Sequence, residues 1–331
     1  MAIKAAINGT GRIGMIVAKI IASRNDIELV AINTTATPEM LEYLFKYDSV
    51  HSGIDAKVLD KETIELNGKK VRMFSTRSLD ELDFGSVGAE VVVECTGVFL
   101  TTEKAQKYLK NGVKKVVMSA PAKDDTPTYV YKINTDDYQG EAIISNASCT
   151  TNCLAPITKI LDDAFGIENG LMTTIHSYTN DQNILDVKHS KDMRRARAAA
   201  VNMIPTTTGA AKAIGKVMPH LKGKLNGYAM RVPTPDVSIV DLTVNLKKAV
   251  TKEDVNAVFE NAAQSEFRGL LEVDTDMRVS SDFIGSTYSA IFVPDMTSVV
   301  DGTTVKVLGW YDNEWGYSSR LVDMCVFVGE Q

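Results

Sequence analysis

The chain has 331 residues, 44% hydrophobic and 24% charged, with a formal net charge of −6. That length exceeds one ordinary core and fits two domains, and the near-average residue usage excludes a disordered chain. The acidic balance argues against a general nucleic-acid binder, and no stretch approaches the ~20 apolar residues of a bilayer span.

In chain order, Lys4-Ala5-Ala6-Ile7-Asn8 reads as a strand, Arg12 to Ala22 as a helix and Ile27 to Thr34 as a second strand, which together make a βαβ unit. The apolar run Ile13 to Ile21 resembles a signal segment, but Lys19 interrupts it and a glycine turn, not a basic leader, precedes it. Val91 to Cys95, Lys115 to Met118 and Ala142 to Ile144 read as further buried parallel strands, with a helix at Thr102 to Lys110. An open, doubly wound sheet follows from this pattern. After a helix from about Cys149 to Phe165 the texture changes to long alternating runs at Leu171 to Tyr178, Val237 to Leu246, Tyr288 to Val293 and Thr304 to Tyr311, the pattern of a mostly antiparallel sheet. Helices are expected near Ala210 to Lys216, from Lys252 to Ser265 and from Glu314 to about Val328, the last able to pack back on the first domain. The boundary falls at Cys149.

Gly9-Thr10-Gly11-Arg12-Ile13-Gly14 matches G-x-G-x-x-G directly after a strand and opening a helix, the setting in which glycines let the backbone approach a pyrophosphate at a helix N-terminus. A dinucleotide is the expected cofactor. The end of the second strand, where an acid would bind the ribose 2′-hydroxyl, reads Ile32-Asn33-Thr34-Thr35-Ala36. A carboxylate there would repel the 2′-phosphate of NADP, whereas Thr34 and Thr35 can donate hydrogen bonds to it, so use of NADP, alone or shared with NAD, is favoured.

The cysteines at 95, 149, 153 and 325 lack both zinc-site spacing and the density of a disulfide scaffold, so a reducing, cytoplasmic setting and no metal are expected. Cys149 opens a helix in the run Ser148-Cys149-Thr150-Thr151-Asn152, where unpaired amides and the helix dipole favour its thiolate. It is the candidate nucleophile. His176, at the end of an apolar strand and followed by hydroxyl residues, is the candidate base. Pro205-Thr206-Thr207-Thr208-Gly209-Ala210 is a hydroxyl-rich turn entering a helix, suited to an anion, and Arg231 is a charge set among apolar and proline neighbours, unlike a solvated surface arginine.

With these motifs, His176-Ser177-Tyr178-Thr179 and Asn313-Glu314-Trp315-Gly316-Tyr317 in order, the chain closely resembles phosphorylating glyceraldehyde-3-phosphate dehydrogenases from end to end. The resemblance implies an α/β protein: a Rossmann-type parallel-sheet domain from residues 1–148 and 313–331, and an α+β catalytic domain with a mostly antiparallel sheet from 149–312, assembled as a homotetramer. It implies that Cys149 attacks the aldehyde, that His176 activates the thiol and takes the proton as hydride leaves, and that phosphate releases the resulting thioester as an acyl phosphate. It places one anion between Thr179, Asp181 and Arg231, and the other among Ser148, Thr150, Thr208, Gly209 and Arg231. For the cofactor it implies Gly9, Gly11, Arg12, Ile13 and Gly14 at the pyrophosphate, Thr96 and Ser119 near the nucleotide, Arg77 near the adenine end, and Asn313 on the nicotinamide carboxamide.

The chain departs from that pattern at several positions. NAD-preferring members carry Asp where Thr34 stands, and commonly Leu-Pro where this chain has Val187-Lys188, in a loop that reaches a neighbouring subunit's cofactor. Lys188 and Thr34 are therefore expected to accommodate a 2′-phosphate together. Thr10 and Met15 replace commoner Phe and Arg and carry no assignment. The basic segment Lys188 to Arg197 reads as a subunit-contact loop whose arginines make interfacial ion pairs. The expected partners are thus a small-molecule substrate, inorganic phosphate and further copies of the chain, with no membrane and no nucleic acid as primary partner. Competing readings are an erythrose-4-phosphate dehydrogenase, against which the intact hydroxyl turn argues, and a mainly binding or adhesion role, against which Cys149, His176 and Arg231 together argue.

Overall fold

The structure, a computed structural model, describes residues 2–190 and 192–331. The chain divides into two compact units, Met1–Ser148 with Ser318–Gln331, and Cys149–Tyr317.

The first unit is built on β1 (Ile3–Asn8), α1 (Arg12–Ala22) and β2 (Ile27–Asn33), with β1 and β2 parallel. Lys19, the charge inside the apolar run, is fully buried; its ammonium meets Asp48 at 2.9 Å and the Ser52 carbonyl at 3.2 Å, so α1 buries nearly its whole circumference with no stray charge. A helix α2 (Pro38–Lys46) follows, opened by Thr37, whose hydroxyl accepts from the Met40 N–H. An antiparallel ribbon comes next: β3 (Ala56–Asp60), β4 (Thr63–Leu66) and β5 (Lys69–Phe74). Neither α2 nor the ribbon is among the elements expected above. The ribbon's alternating, Lys- and Glu-rich strands are half-exposed and give no continuous apolar run.

The sheet continues with β6 (Val91–Glu94), β7 (Lys115–Met118) and β8 (Ile143–Ser145), in the order β3-β4-β5-β2-β1-β6-β7-β8, parallel from β5 onward. The order reverses on either side of β1, which puts the crevice of a doubly wound sheet at the carboxyl end of that strand. The helix expected at 102–110 is shorter: α3 (Thr102–Ala105) passes into a 3₁₀ turn at Gln106–Tyr108. The tertiary structure overrides the periodicity here, because the Tyr108 hydroxyl turns inward to bond the buried Glu94 carboxylate and the Asn8 amide.

In the second unit, α4 (Cys149–Phe165) leads into β9 (Ile167–Ser177), β10 (Ile204–Thr207), α5 (Ala210–Val217), β11 (Leu225–Val232), β12 (Ser238–Leu246) and α6 (Lys252–Gln264). The strands β13 (Leu271–Val273), β14 (Ala290–Phe292), β15 (Ser298–Val300) and β16 (Thr304–Tyr311) complete it before α7 (Trp315–Glu330) begins. The sheet order is β10-β11-β9-β12-β16-β14-β13, with β15 beside β16. It is antiparallel except at β9/β11 and β13/β14. Register brings chemistry together at one end of this sheet: Arg231 on β11 pairs with His176 on β9, and Ser238 on β12 pairs with Tyr311 on β16. The C-terminal residues belong to the first unit, where Asp323 meets Arg24 at 2.5 Å and Phe327 packs edge-on to Tyr131 and Tyr138. Among the described residues, no helix is long and apolar enough to cross a membrane.

Candidate active site

In the first unit, a cleft of about 660 Å³ opens at the carboxyl ends of β1, β2 and β6. Gly9 stands at φ +98°, where side chains are strained, and a Cβ on Gly14 would lie 1.9 Å from the Gly9 carbonyl oxygen. A Cβ at either position is thereby excluded, which keeps the turn tight against α1. A Cβ at Gly11, by contrast, would meet nothing within 4 Å, so the backbone there is open to a ligand. The glycine turn, the helix N-terminus and the cleft fit a dinucleotide.

The cleft is lined by Gly9, Gly11, Thr34, Arg77 and Thr96 of the expected cofactor residues. Arg12, Ile13 and Gly14 form the first turn of α1, and the Arg12 guanidinium is engaged by Asp48 at 3.0 Å. Asp48 accepts four bonds, from Val50 and His51 amides, Lys19 and Arg12. These outweigh its burial and hold its carboxyl well below the ordinary range. Ser119 lies just past β7, its amide bonded to the Glu94 carbonyl at 3.0 Å. The Glu94 side chain also receives the Thr96 amide at 2.7 Å and bonds its hydroxyl, which fixes the loop after β6. Among the described residues the cleft holds one charged side chain, Arg77, and no carboxylate.

In the second unit, Cys149 is the first residue of α4 and its Sγ lies 3.5 Å from Nε2 of His176. Nδ1 of His176 is 2.8 Å from the Ser177 carbonyl, and Nη1 of Arg231 lies 2.9 Å from both that carbonyl and Nδ1. Because the guanidinium can only donate and a carbonyl can accept twice, Ser177 takes one bond from each. Nδ1 then keeps its proton and the Nε2 lone pair faces the sulfur. Burial, and next the Arg231 charge, lower His176 from 6.5 to about 3, so the ring is neutral at physiological pH.

The thiol differs from the expectation of a thiolate. Although Cys149 is only half-buried, desolvation pushes its pKa up, and Arg231, Thr150 and the first amides of the helix offset this only in part. The resting pair is a protonated thiol beside a neutral imidazole.

Asn313 is buried, and its Oδ1 accepts from Ser177 Oγ at 2.9 Å and Ser238 Oγ at 2.6 Å. Two hydroxyl donors fix the amide orientation, which makes Nδ2 its donor side. The preceding Asp312 accepts from the Glu314 and Trp315 amides at 2.8 and 2.6 Å, which caps α7 and sets Asn313 in place.

Thr208 and Gly209 enter α5, with Thr208 Oγ1 accepting from the Ala210 amide at 3.2 Å. Thr179 follows β9, and its carbonyl accepts the Gln182 amide at 2.8 Å. Ser148 directly precedes Cys149. Arg231 Nε is buried without a hydrogen-bond partner among the described residues. That leaves a donor for an anion.

The sequence reading missed two residues. Arg195 stands in the segment expected to make subunit contacts, and within the chain it binds Asp181 at 2.5 Å, the Thr206 hydroxyl at 2.9 Å and the Thr207 carbonyl at 3.3 Å, which ties Asp181 of one expected anion set to the turn that leads into Thr208 of the other. Partial burial would raise Asp181, but Arg195 more than offsets it and keeps the carboxylate ionised. Tyr311 bonds Thr150 at 2.9 Å and Thr174 at 2.8 Å, which turns the Thr150 hydroxyl toward β16. Neither carried a local signal, since Arg195 sits in a basic loop and Tyr311 in an alternating strand. Lys188 is exposed and lines a separate surface depression with His189 and Ser190.

A crevice for a dinucleotide on a parallel sheet, and a thiol beside a neutral imidazole and a half-buried guanidinium, define an α/β oxidoreductase with a nucleotide domain and a thiol-bearing domain. Family models for the NAD-binding domain and the C-terminal domain of glyceraldehyde 3-phosphate dehydrogenase match residues 3–102 and 148–313. The chain is 51% identical over 334 residues to glyceraldehyde-3-phosphate dehydrogenase of Geobacillus stearothermophilus, covering 100% of this chain and 99% of that one. It is 49% identical to glyceraldehyde-3-phosphate dehydrogenase 1 of Bacillus subtilis over 100% and 99% of the two chains. To the cytosolic enzyme of Sinapis alba it is 48% identical over 99% and 98%. The chain belongs to the glyceraldehyde-3-phosphate dehydrogenase family.

Proposed function

We propose that the protein is a phosphorylating dehydrogenase of D-glyceraldehyde 3-phosphate that works reversibly through an acyl thioester on Cys149. The observation that carries this is Nε2 of a neutral His176 facing the Cys149 sulfur at 3.5 Å, beneath the Arg231 guanidinium. As Sγ attacks the aldehyde carbon, Nε2 takes the thiol proton. The imidazolium and the Cys149 amide then face the new oxyanion, and Nε2 recovers the hydroxyl proton as the thiohemiacetal becomes a thioester. The bound dinucleotide supplies a two-electron acceptor for the hydride. Arg231 and Arg195, with Thr179, Asp181, Ser148, Thr150, Thr208 and Gly209, hold the substrate phosphate and the phosphate that attacks the thioester.

We assign residues 1–148 with the C-terminal helix to the nucleotide and the intervening residues to catalysis. The cofactor reading favours NADP, alone or with NAD: Thr34 replaces an acid, and Arg77 is the one charge lining the cleft among the described residues. Lys188, reaching a neighbouring subunit's cofactor in a homotetramer, adds a second cation. A cytosolic setting, as in the named cytosolic relative, suits these free thiols.

Steady-state rates with NAD+ and NADP+, with and without phosphate, test the reading. Phosphate-dependent turnover with either cofactor is expected, and no reaction with either would overturn it. Lys188→Glu should raise the KM for NADP+ by several-fold; an unchanged KM would remove Lys188 from the site.

A further inference from the structure

Thr10 has no assigned role, yet it lines the nucleotide cleft and its Oγ1 lies 2.5 Å from Oγ1 of Thr34. Thr34 Oγ1 also accepts the Ala36 amide at 3.1 Å. A hydroxyl has one proton and two acceptor sites. When Thr10 donates to Thr34, both acceptor sites of Thr34 are filled, and its only remaining capacity is to donate its own proton. With the opposite polarity the spare proton sits on Thr10. Either way the pair presents one O–H with no acceptor among its own members, in a cleft where the described lining residues include Arg77 and no carboxylate. Such a pair matches an anionic acceptor, because a hydrogen bond to an ionised oxygen is roughly twice as strong as one to a neutral group.

We infer that Thr10 is a specificity-determining residue that, through its hydrogen bond to Thr34, makes the pair a donor to a phosphate monoester on the ribose 2′-oxygen. The inference rests on the reading that the enzyme takes NADP, and it assigns the discrimination to two touching hydroxyls, from the turn after β1 and the residue after β2, in place of one side chain. Thr34 is nearly buried, 4% exposed, and its amide is tied to the Phe74 carbonyl at 3.0 Å, so the backbone that carries its hydroxyl is fixed beside Thr10.

The test measures binding, by calorimetry on the intact protein, of adenosine 2′,5′-bisphosphate and of AMP, which differ only in the 2′-phosphate. Wild type should bind the bisphosphate more tightly. In Thr10→Val, which keeps the shape and removes the hydroxyl, that preference should shrink several-fold, by loss of the donor itself or of the bond that aims and polarises the Thr34 proton. Thr10→Ala should do the same, whereas Thr10→Ser should retain it. The corresponding kcat/KM ratio for NADP+ over NAD+ should move in parallel. If wild type prefers the bisphosphate and Thr10→Val and Thr10→Ala keep the preference, or Thr10→Ser loses it, the role of Thr10 is overturned and the NADP reading stands. If wild type shows no preference over AMP, both fall together.

Discussion

At the residue scale, the chemistry depends on protonation states that neighbouring groups impose. His176 remains neutral because burial and then Arg231 oppose its charging, while its Nδ1 bond to Ser177 directs the basic nitrogen at the sulfur. His176→Gln, which keeps a hydrogen bonder but no base, should lower kcat by roughly 10²–10⁴ with a smaller effect on substrate KM. The same burial has a consequence for acid stability. The folded ring titrates near 3 and the unfolded ring near 6.5, so between those values the unfolded chain holds a proton that the folded chain refuses. Stability from this group is therefore complete above pH 6.5 and declines as pH falls toward 3. Measured as the loss of Tm between about pH 7.5 and about pH 5, wild type should lose more than His176→Gln. Cys149 and His176 were legible because a cysteine at a strand–helix junction and a histidine at a strand end are locally unusual. The raised thiol pKa was not, since it follows from desolvation by residues distant in sequence. Arg195 was hidden for a related reason: its contacts to Asp181 and Thr206 exist only once the loop folds back.

At the scale of elements, the start of α1 carries the geometry that fits a dinucleotide. The glycine turn before α1 exists because Gly14 packs directly onto the Gly9 carbonyl. Gly14→Ala would place a methyl carbon 1.9 Å from that oxygen, a backbone clash no rotamer relieves. The variant should lose nucleotide binding and several degrees of Tm, measurable by calorimetry with and without NAD+. An unchanged Kd would mean that the turn relaxes freely. The strands and helices with strong periodicity, such as α1, β7, α4 and β16, could be placed from sequence to within a residue. The ribbon β3–β5 could not, because its half-exposed strands give no continuous apolar run, and α2 is a short helix whose buried stripe is only Leu41 and Phe45. The early end of α3 belongs with these, set by Tyr108 turning in to Glu94.

For the whole molecule, the segment from 184 to 203 exposes Ile184, Leu185, Val187, Met193, Val201 and Met203, with Met193 at 91%. Apolar side chains concentrated in this way mark an interface, which accords with the proposed homotetramer. Light scattering should give four times the chain mass, and Val201→Glu with Met203→Glu should shift it to smaller species. A monomer in wild type would remove the interface and with it the role of Lys188. The division into a nucleotide unit and a thiol unit separates the tasks, so the covalent step can be isolated by withholding phosphate. The most direct test is a single-turnover experiment with glyceraldehyde 3-phosphate and dinucleotide in phosphate-free buffer, followed by peptide mass mapping. A burst of reduced dinucleotide stoichiometric with active sites, a 3-phosphoglyceroyl adduct on Cys149, and its discharge when phosphate is added are expected. A burst with unmodified Cys149, or sustained turnover that ignores phosphate, would contradict the covalent step.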